Sequence, residues 1–375
     1  MATSFGMLTT FPPTQCGLAT FSQALVTHLE DAGALVGVVR VVDSPQPALA
    51  GVVHQLVISE LGATRAAAEA LNAFDVAIIQ HEYGIYGGRD GVDVLSVLAR
   101  VRVPVVAVLH TVLVDPSPHQ RDILEQVVQA ASVVVTMTET ARQRLLDVWD
   151  VEPAKVHVVA HGAQDNRPGN DRAPQSSTPT VLTWGLLGNG KGIEWALDAM
   201  ATLRDLTPRP LYRVVGQTHP RVFEREGEAY RDRLKTSVRA LGISSMVEFD
   251  ARYLDGPSLR RLVRQADVVL LPYDSKDQVT SGVLTEAVVA GKPVVSTAFP
   301  HAVELLSGGA GILVPQRDPA AISRALRRVL TVPGLASEMS AKSTALAPGL
   351  LWPAVAQQYI ELATSLVETP ALSVA

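Results

Sequence analysis

Lys191, Gln278, Ser281 and Glu286 are the side chains of this 375-residue sequence whose types and spacing best suit shared chemistry. The apolar run Ala266–Pro272 reads as a buried strand, and the polar stretch Tyr273–Val279 follows it. A helix is expected to open near Thr280 and to end at Gly291-Lys292-Pro293, which leads into another strand. Small residues at Ser281 and Gly282 let backbone N–H groups approach an anion where the helix dipole favours negative charge. Glu286, deeper in the helix, can accept hydrogen bonds from vicinal hydroxyls of a ligand whose phosphate rests on that terminus. Thr280 serving only as a helix cap is the alternative.

A second glycine-rich turn is Gly185-Leu186-Leu187-Gly188-Asn189-Gly190-Lys191-Gly192. It nearly fits the phosphate loop G-x4-G-K-[ST], but Gly192 stands where a hydroxyl would hold magnesium, which argues against an ATPase. Lys191 is either an anion ligand or a solvated residue at a helix start. In the first half, Thr10–Phe21 contains Gln15 and Gly17 ahead of a helix, with prolines stiffening the loop. A G-x-G-x-x-G fingerprint is absent there, which weakens a nicotinamide-dependent reading. His110 closes the apolar run Val103–Leu109, and a polar residue at that end of a buried strand tends to face a ligand. Gln80-His81-Glu82-Tyr83-Gly84 closes an earlier strand in the same way, making His81 and Glu82 candidates. His161 has either a site role or a hinge role. Glu304 is a candidate on a later helix, with plain surface exposure as the alternative.

Those residues must be held by something, and the pattern says what. Near-continuous apolar runs appear at Gly6–Leu8, Leu35–Val42, Val76–Gln80, Val103–His110, Val133–Met137 and Val156–Ala160, with helical periodicity over Gly17–Leu29, Gln120–Ala131 and Glu139–Trp149. A second alternation places strands at Val181–Leu187, Tyr212–Gly216, Met246–Phe249, Val268–Leu271, Pro293–Thr297 and Gly311–Val314. Uninterrupted apolar strands separated by helices indicate parallel sheets covered on both faces. Ligands then bind outside the carboxyl ends of the strands. The expected organisation is a Rossmann-like domain over 1–163, a linker over 164–180, a second Rossmann-like domain over 181–347, and a terminal helix within 348–375.

Hydrophobic residues are 47% and charged residues 18% of the chain, enough apolar content for two cores. A net charge of -5 gives no electrostatic footprint for nucleic acid. The single Cys16 excludes an internal disulfide and fits a reducing, cytoplasmic compartment. No signal peptide or membrane span is evident. Asp-x-Asp, His-Glu-x-x-His, paired cysteines and Gly-x-Ser-x-Gly are all absent, so neither a metal site nor a hydrolase elbow is expected.

The run from Tyr273 to Val295, with Glu286-Ala287 and Gly291-Lys292-Pro293-Val294-Val295, resembles the C-terminal signature of retaining family 4 glycosyltransferases. That family usually carries a Glu-x7-Glu pair, whose second member matches Glu286 while Gln278 stands at the first. The resemblance extends over nearly the whole sequence. It implies a GT-B fold, two Rossmann-like domains facing an interdomain cleft with the last helix returning to the first domain. It further implies a nucleotide diphosphate sugar as donor and no cofactor. A hexose, mannose from GDP-mannose or glucose from UDP-glucose, would pass with retention to a hydroxyl acceptor, a saccharide or other small molecule. The leaving diphosphate would act as the base.

Carried over by position, Glu286 holds the ribose and Gln278 meets the donor sugar. Lys191 neutralises pyrophosphate where Leu186 replaces the usual arginine. Gly17, Thr280, Ser281, Gly282 and Glu304 line the donor. His110 contacts the donor sugar, and Gln15, His81 and Glu82 the acceptor. Oligomeric state is open. Two other classes stay in view: another GT-B enzyme, such as a sugar-nucleotide epimerase or phosphorylase, and a non-catalytic sugar-nucleotide-binding protein, made conceivable by Leu186 and Gln278.

Overall fold

A computed structural model describes residues 3–167 and 178–368. Most of the expected linker, residues 168–177, lies outside the described residues. In chain order the first elements are β1 (Ser4–Thr9), α1 (Gly17–Asp31), β2 (Leu35–Val42), β3 (Val52–Val57), α2 (Ala63–Leu71), β4 (Val76–His81) and α3 (Asp93–Leu98). There follow β5 (Val105–Leu109), α4 (Pro118–Ala130), β6 (Val133–Thr136), α5 (Glu139–Val148) and β7 (Val156–Val158). The next group is β8 (Thr180–Trp184), α6 (Ile193–Ala201), β9 (Leu211–Val215), α7 (Pro220–Glu226), α8 (Ala229–Ala240), β10 (Val247–Asp250), α9 (Gly256–Gln265) and β11 (Val268–Leu271). The last are α10 (Gly282–Val289), β12 (Val294–Thr297), α11 (Pro300–Leu306), β13 (Gly311–Val314), α12 (Pro319–Thr331), α13 (Leu335–Leu346) and α14 (Trp352–Glu368).

The described residues divide into two compact units, one from Met1–Gly162 and Trp352–Ala375, the other from Ala163–Leu351. The first holds a seven-stranded sheet ordered β3-β2-β1-β4-β5-β6-β7, the second a six-stranded sheet ordered β10-β9-β8-β11-β12-β13. Every neighbouring pair is parallel. In both sheets the order runs outward in opposite directions from the first strand, the doubly wound arrangement that sets a ligand crevice at the carboxyl ends of the strands.

The uninterrupted apolar strands have a direct cause. Successive side chains on a strand point to opposite faces, and here helices cover both. In β11, Val268 and Leu270 enter one core with Tyr212, Ile193 and Ile322. Val269 and Leu271 enter another with Trp184, Leu284 and Phe299. Neither face tolerates a polar residue until the strand ends.

β3, α2 and α3 escape the sequence pattern. β3 is an edge strand whose half-buried His54 and Gln55 break the apolar run. Gln55 exchanges hydrogen bonds with the Gln46 backbone at 2.8 and 2.7 Å, which ties the strand down locally. α2 buries mainly small residues, Ala67 and Ala68 with Leu71, too faint a stripe to read. β8 stops at Trp184 rather than Leu187 because Gly185, at φ +120°, turns the chain. Among the described residues no helix is long and apolar enough to cross a membrane.

The terminal helix α14 completes the first unit's core. Val355, Ala356, Tyr359 and Ala363 pack with Phe21, Leu25 and Leu29 of α1. Its first residue, Trp352, lies edge-on to Phe21 at 5.1 Å. The indole also covers Gly162, where an added Cβ would sit 2.2 Å from a ring carbon. Gly162→Ala should therefore destabilise the protein by about 1–3 kcal/mol, the usual cost of overpacking. Urea unfolding with limited proteolysis of the C-terminus checks this, and a variant as stable and protease-resistant as the parent would show that the indole can shift freely.

Candidate functional site

In the second unit, backbone meets backbone around the turn Gly185–Gly192. Gly216, at φ +134°, ends β9, and a Cβ there would lie 2.0 Å from the Gly185 carbonyl oxygen. A Cβ on Gly192, at φ +64°, would lie 1.8 Å from the Pro272 carbonyl oxygen. Hydrogen bonds lace the same contact: Leu187 N–H to Gln217 O at 2.9 Å, His219 N–H to Leu187 O at 2.8 Å, and Asp274 N–H to Gly190 O at 3.1 Å.

The turn thereby holds Lys191 over Tyr273, with Nζ 4.3 Å from the ring centroid. Tyr273 is buried and stacked on Phe299 at 5.2 Å. An aromatic face attracts the ammonium without neutralising it. Lys191 has no ion pair among the described residues, so its charge remains available to an anion.

Helix α10 begins beside this turn, since a Cβ on Gly185 would approach Val283 Cγ2 at 3.6 Å. The helix opens at Gly282, and its cap is Ser281 rather than Thr280. The Ser281 hydroxyl accepts from Leu284 N–H at 3.2 Å. Ser281 itself is a weaker anion ligand than its position suggests, because its own N–H donates to His301 Nδ1 at 2.9 Å. The N–H groups of Gly282 and Val283 have no partner among the described residues and remain as the anion donors. The Thr280 hydroxyl oxygen is buried without a partner. Gln278 folds over its own loop, its amide nitrogen donating to the Thr280 carbonyl.

Glu286, half-buried, accepts a hydrogen bond from Trp184 Nε1 at 3.2 Å. Burial pushes its carboxyl up to about 7, against the opposing effects of the indole N–H and of Arg260. A carboxylate, two free N–H groups and a lysine thus gather at the carboxyl ends of β8 and β11. Those groups can take vicinal hydroxyls and a multiply charged anion together. Glu304 is exposed on α11.

In the first unit, polar groups cluster at the ends of β4 and β5. His110 Nε2 lies 2.7 Å from Gln80 Oε1, and its ring stands edge-on to Phe21 at 4.9 Å. His161 contacts the same phenyl ring at 5.0 Å, and its Nδ1 is 2.8 Å from Gly162 O. Burial lowers His81 to about 4, His161 to about 4 and His110 to about 3, the last also through its histidine neighbours. All three imidazoles are neutral at working pH. His81 Nδ1 is buried without a partner. The Thr111 hydroxyl donates to Glu82 Oε2 at 2.5 Å. Gln15 and Gly17 are exposed at the start of α1, where Cys16 Sγ accepts from Ala19 N–H at 3.3 Å. A Cβ on Gly17 would meet nothing within 4 Å, so no protein contact demands glycine there.

Gln80, Trp184, Val283 and His301 were not candidates in the sequence. Gln80 obeys the rule that singled out His110, a polar residue closing an apolar strand, and was legible on that ground. Trp184 and His301 matter through tertiary pairing with Glu286 and Ser281, which no spacing reveals. Among the described residues no group of three or more histidine, cysteine, aspartate or glutamate side chains is placed to hold a metal ion.

Comparison with known proteins gives consistent findings. Residues 178–332 match the family described as "Glycosyl transferases group 1", and residues 16–167 the one described as "Glycosyltransferase Family 4". The sequence is similar to a D-inositol 3-phosphate glycosyltransferase of Frankia alni, 30% identical over 285 residues, 70% of this chain and 69% of that protein. One from Kineococcus radiotolerans is 31% identical over 268 residues, 66% of this chain but only 60% of that relative's length. The fold is like that of Anabaena HepE in complex with UDP and glucose, at a TM-score of 0.77 and 17% identity, covering 97% of this chain and 100% of the other.

The carboxyl of Glu286 gives a prediction that needs no ligand. Its folded pKa, about 7, lies above the ordinary 4.5, so the folded state holds the proton more tightly. Stability from this group is present below 4.5 and is lost as pH rises through about 7. Glu286→Gln, uncharged throughout, should lose less thermal stability than the parent between pH 5.5 and 8.5. Parallel declines in the two melting curves would show that Glu286 titrates normally.

Proposed function

The chain belongs to glycosyltransferase family 4, with two Rossmann-like domains of the GT-B class, and from that premise we propose that it is a retaining hexosyltransferase. It moves a hexose from a nucleotide diphosphate sugar to the hydroxyl of a saccharide or other small acceptor. The observation that carries this reading is the grouping in the second unit: Glu286 beside Trp184, free N–H groups at Gly282 and Val283, and Lys191 without a counter-ion. Ribose hydroxyls suit the carboxylate, and the diphosphate suits the helix N-terminus and the ammonium. GDP-mannose and UDP-glucose are the donors to test.

In this mechanism the leaving diphosphate takes the acceptor's proton as the new bond forms on the face that it vacates. No side-chain nucleophile and no cofactor are needed. With Leu186 in place of a cation, Lys191 and the N-terminus of α10 carry the charge that develops on the leaving group. Gln278 supplies neutral hydrogen bonds to the donor sugar once released from the Thr280 carbonyl, since its amide both donates and accepts. His110 meets the donor sugar, and Glu82 and His81 serve the acceptor.

Calorimetry with GDP and UDP, followed by donor-hydrolysis and transfer assays, tests the proposal. Glu286→Ala should weaken nucleotide diphosphate binding by about 1–3 kcal/mol, the scale of a lost charge-assisted hydrogen bond. Lys191→Ala should lower kcat/KM by at least about 100-fold with little change in thermal midpoint, as when one preorganised electrostatic contact is removed. Tight nucleotide binding with no turnover on either donor would instead favour a sugar-nucleotide-binding protein.

A further inference from the structure

We propose that Gln80 is a positioning residue that fixes His110 in the Nε2–H tautomer, so that His110 offers a bound sugar hydroxyl only a hydrogen-bond acceptor at Nδ1. This deepens the transferase reading above and rests on it for the identity of the ligand.

The argument begins with the amide. Gln80 is completely buried, and its two ends have different neighbours: Nε2 lies 3.9 Å from Met7 Sδ, Oε1 lies 2.7 Å from His110 Nε2. A thioether accepts weakly and donates nothing, so the amide nitrogen belongs on that side. The carbonyl oxygen facing His110 accepts only, and Nε2 of the imidazole must then carry the hydrogen. The backbone around Gln80 is fixed as well. Its carbonyl accepts from the buried Tyr86 hydroxyl at 2.6 Å, and its strand is paired to β5 with Gln80 opposite Val108.

A neutral imidazole has one N–H, so Nδ1 is left as a lone pair. Nδ1 bonds no protein group among the described residues, and it is not among the polar atoms sealed from solvent. Protonation would convert it to a donor, and the surroundings oppose that. His81 and Glu82 follow from the end of β4, His161 comes from beyond β7, and α1 and α14 bring the rings of Phe21 and Trp352. Glu82 is occupied by the Thr111 hydroxyl. The hydrogen bond to a substrate hydroxyl involves no proton transfer; it orients the sugar while the diphosphate departs.

The test is a pH profile of donor turnover from pH 5 to 9 with GDP-mannose and UDP-glucose. Histidine ring 15N spectra of the parent and of Gln80→Glu and Gln80→Leu accompany it. The parent should show a pyridine-type Nδ1 and a pyrrole-type Nε2 for His110 across the range, and no fall in kcat from this residue on the acid side. Gln80→Glu keeps an acceptor at Nε2 but stabilises the imidazolium. It should stay within about threefold of the parent at pH 9 and fall at least tenfold below it at pH 5.5. Gln80→Leu should lose about tenfold in kcat at every pH, with donor KM moving less.

The opposite nitrogen pattern in the parent overturns the inference whether or not a donor is turned over. A Gln80→Glu profile that matches the parent's, or rises in acid, overturns it too. So does a His110→Ala variant that transfers normally, whereas the transferase reading itself falls only if neither GDP nor UDP binds.

Discussion

The second unit depends on two places where backbone touches backbone with no room for a side chain. At Gly216 and Gly192 a single carbon would overlap the carbonyls of Gly185 and Pro272. Because these contacts close, the Gly185–Gly192 turn lies flat across the ends of β9 and β11. Everything chemical in this unit follows from that. Lys191 is held to a ring rather than to a carboxylate, Trp184 ends its strand within reach of Glu286, and the first turn of α10 keeps two N–H groups unspent. Charge that can be offered to a ligand is charge that the protein has declined to neutralise internally.

The two units solve the burial of polar groups in opposite ways. In the second, a cation and a carboxyl of raised pKa sit in a half-buried setting, and an anionic ligand would complete their electrostatics. In the first, burial holds three histidines in their neutral form. Neutral imidazoles read hydroxyls by direction of hydrogen bonding, while lysine and helix termini read charge with less regard for direction.

Much of the fold was legible because one physical rule dominates it. Strands buried on both faces are apolar nearly throughout, and β11 is bounded in the structure where its apolar run ends. The rule fails where burial is one-sided, as in the edge strand β3 with His54 and Gln55, or where alanines do the packing, as in α2. Of the candidate residues, His81 and His110 lie at the ends of β4 and β5 and Lys191 lies in the glycine-rich turn before α6, places that the sequence pattern also gives them. Their partners were not legible, since the contacts of Gln80 with His110, Trp184 with Glu286 and His301 with Ser281 join residues far apart in sequence. Thr280 and Ser281 illustrate a finer limit. Either could cap the helix, and only the competing demand of His301 for the Ser281 N–H shows how that terminus is shared.

The placement of α14 carries a consequence in time. The first unit is not contiguous: its core includes Trp352, Val355, Ala356 and Tyr359, which follow the whole of Ala163–Leu351 in the chain. During synthesis, at about 5–20 residues per second, the surface of α1 that those side chains will cover waits for the intervening unit to emerge, on the order of ten to forty seconds. Through that interval Phe21, Leu25 and Leu29 belong to an unfinished core exposed to solvent or to whatever binds nascent chains. The order of translation thus makes the second unit the first that can close, and the amino-terminal half the last to become native.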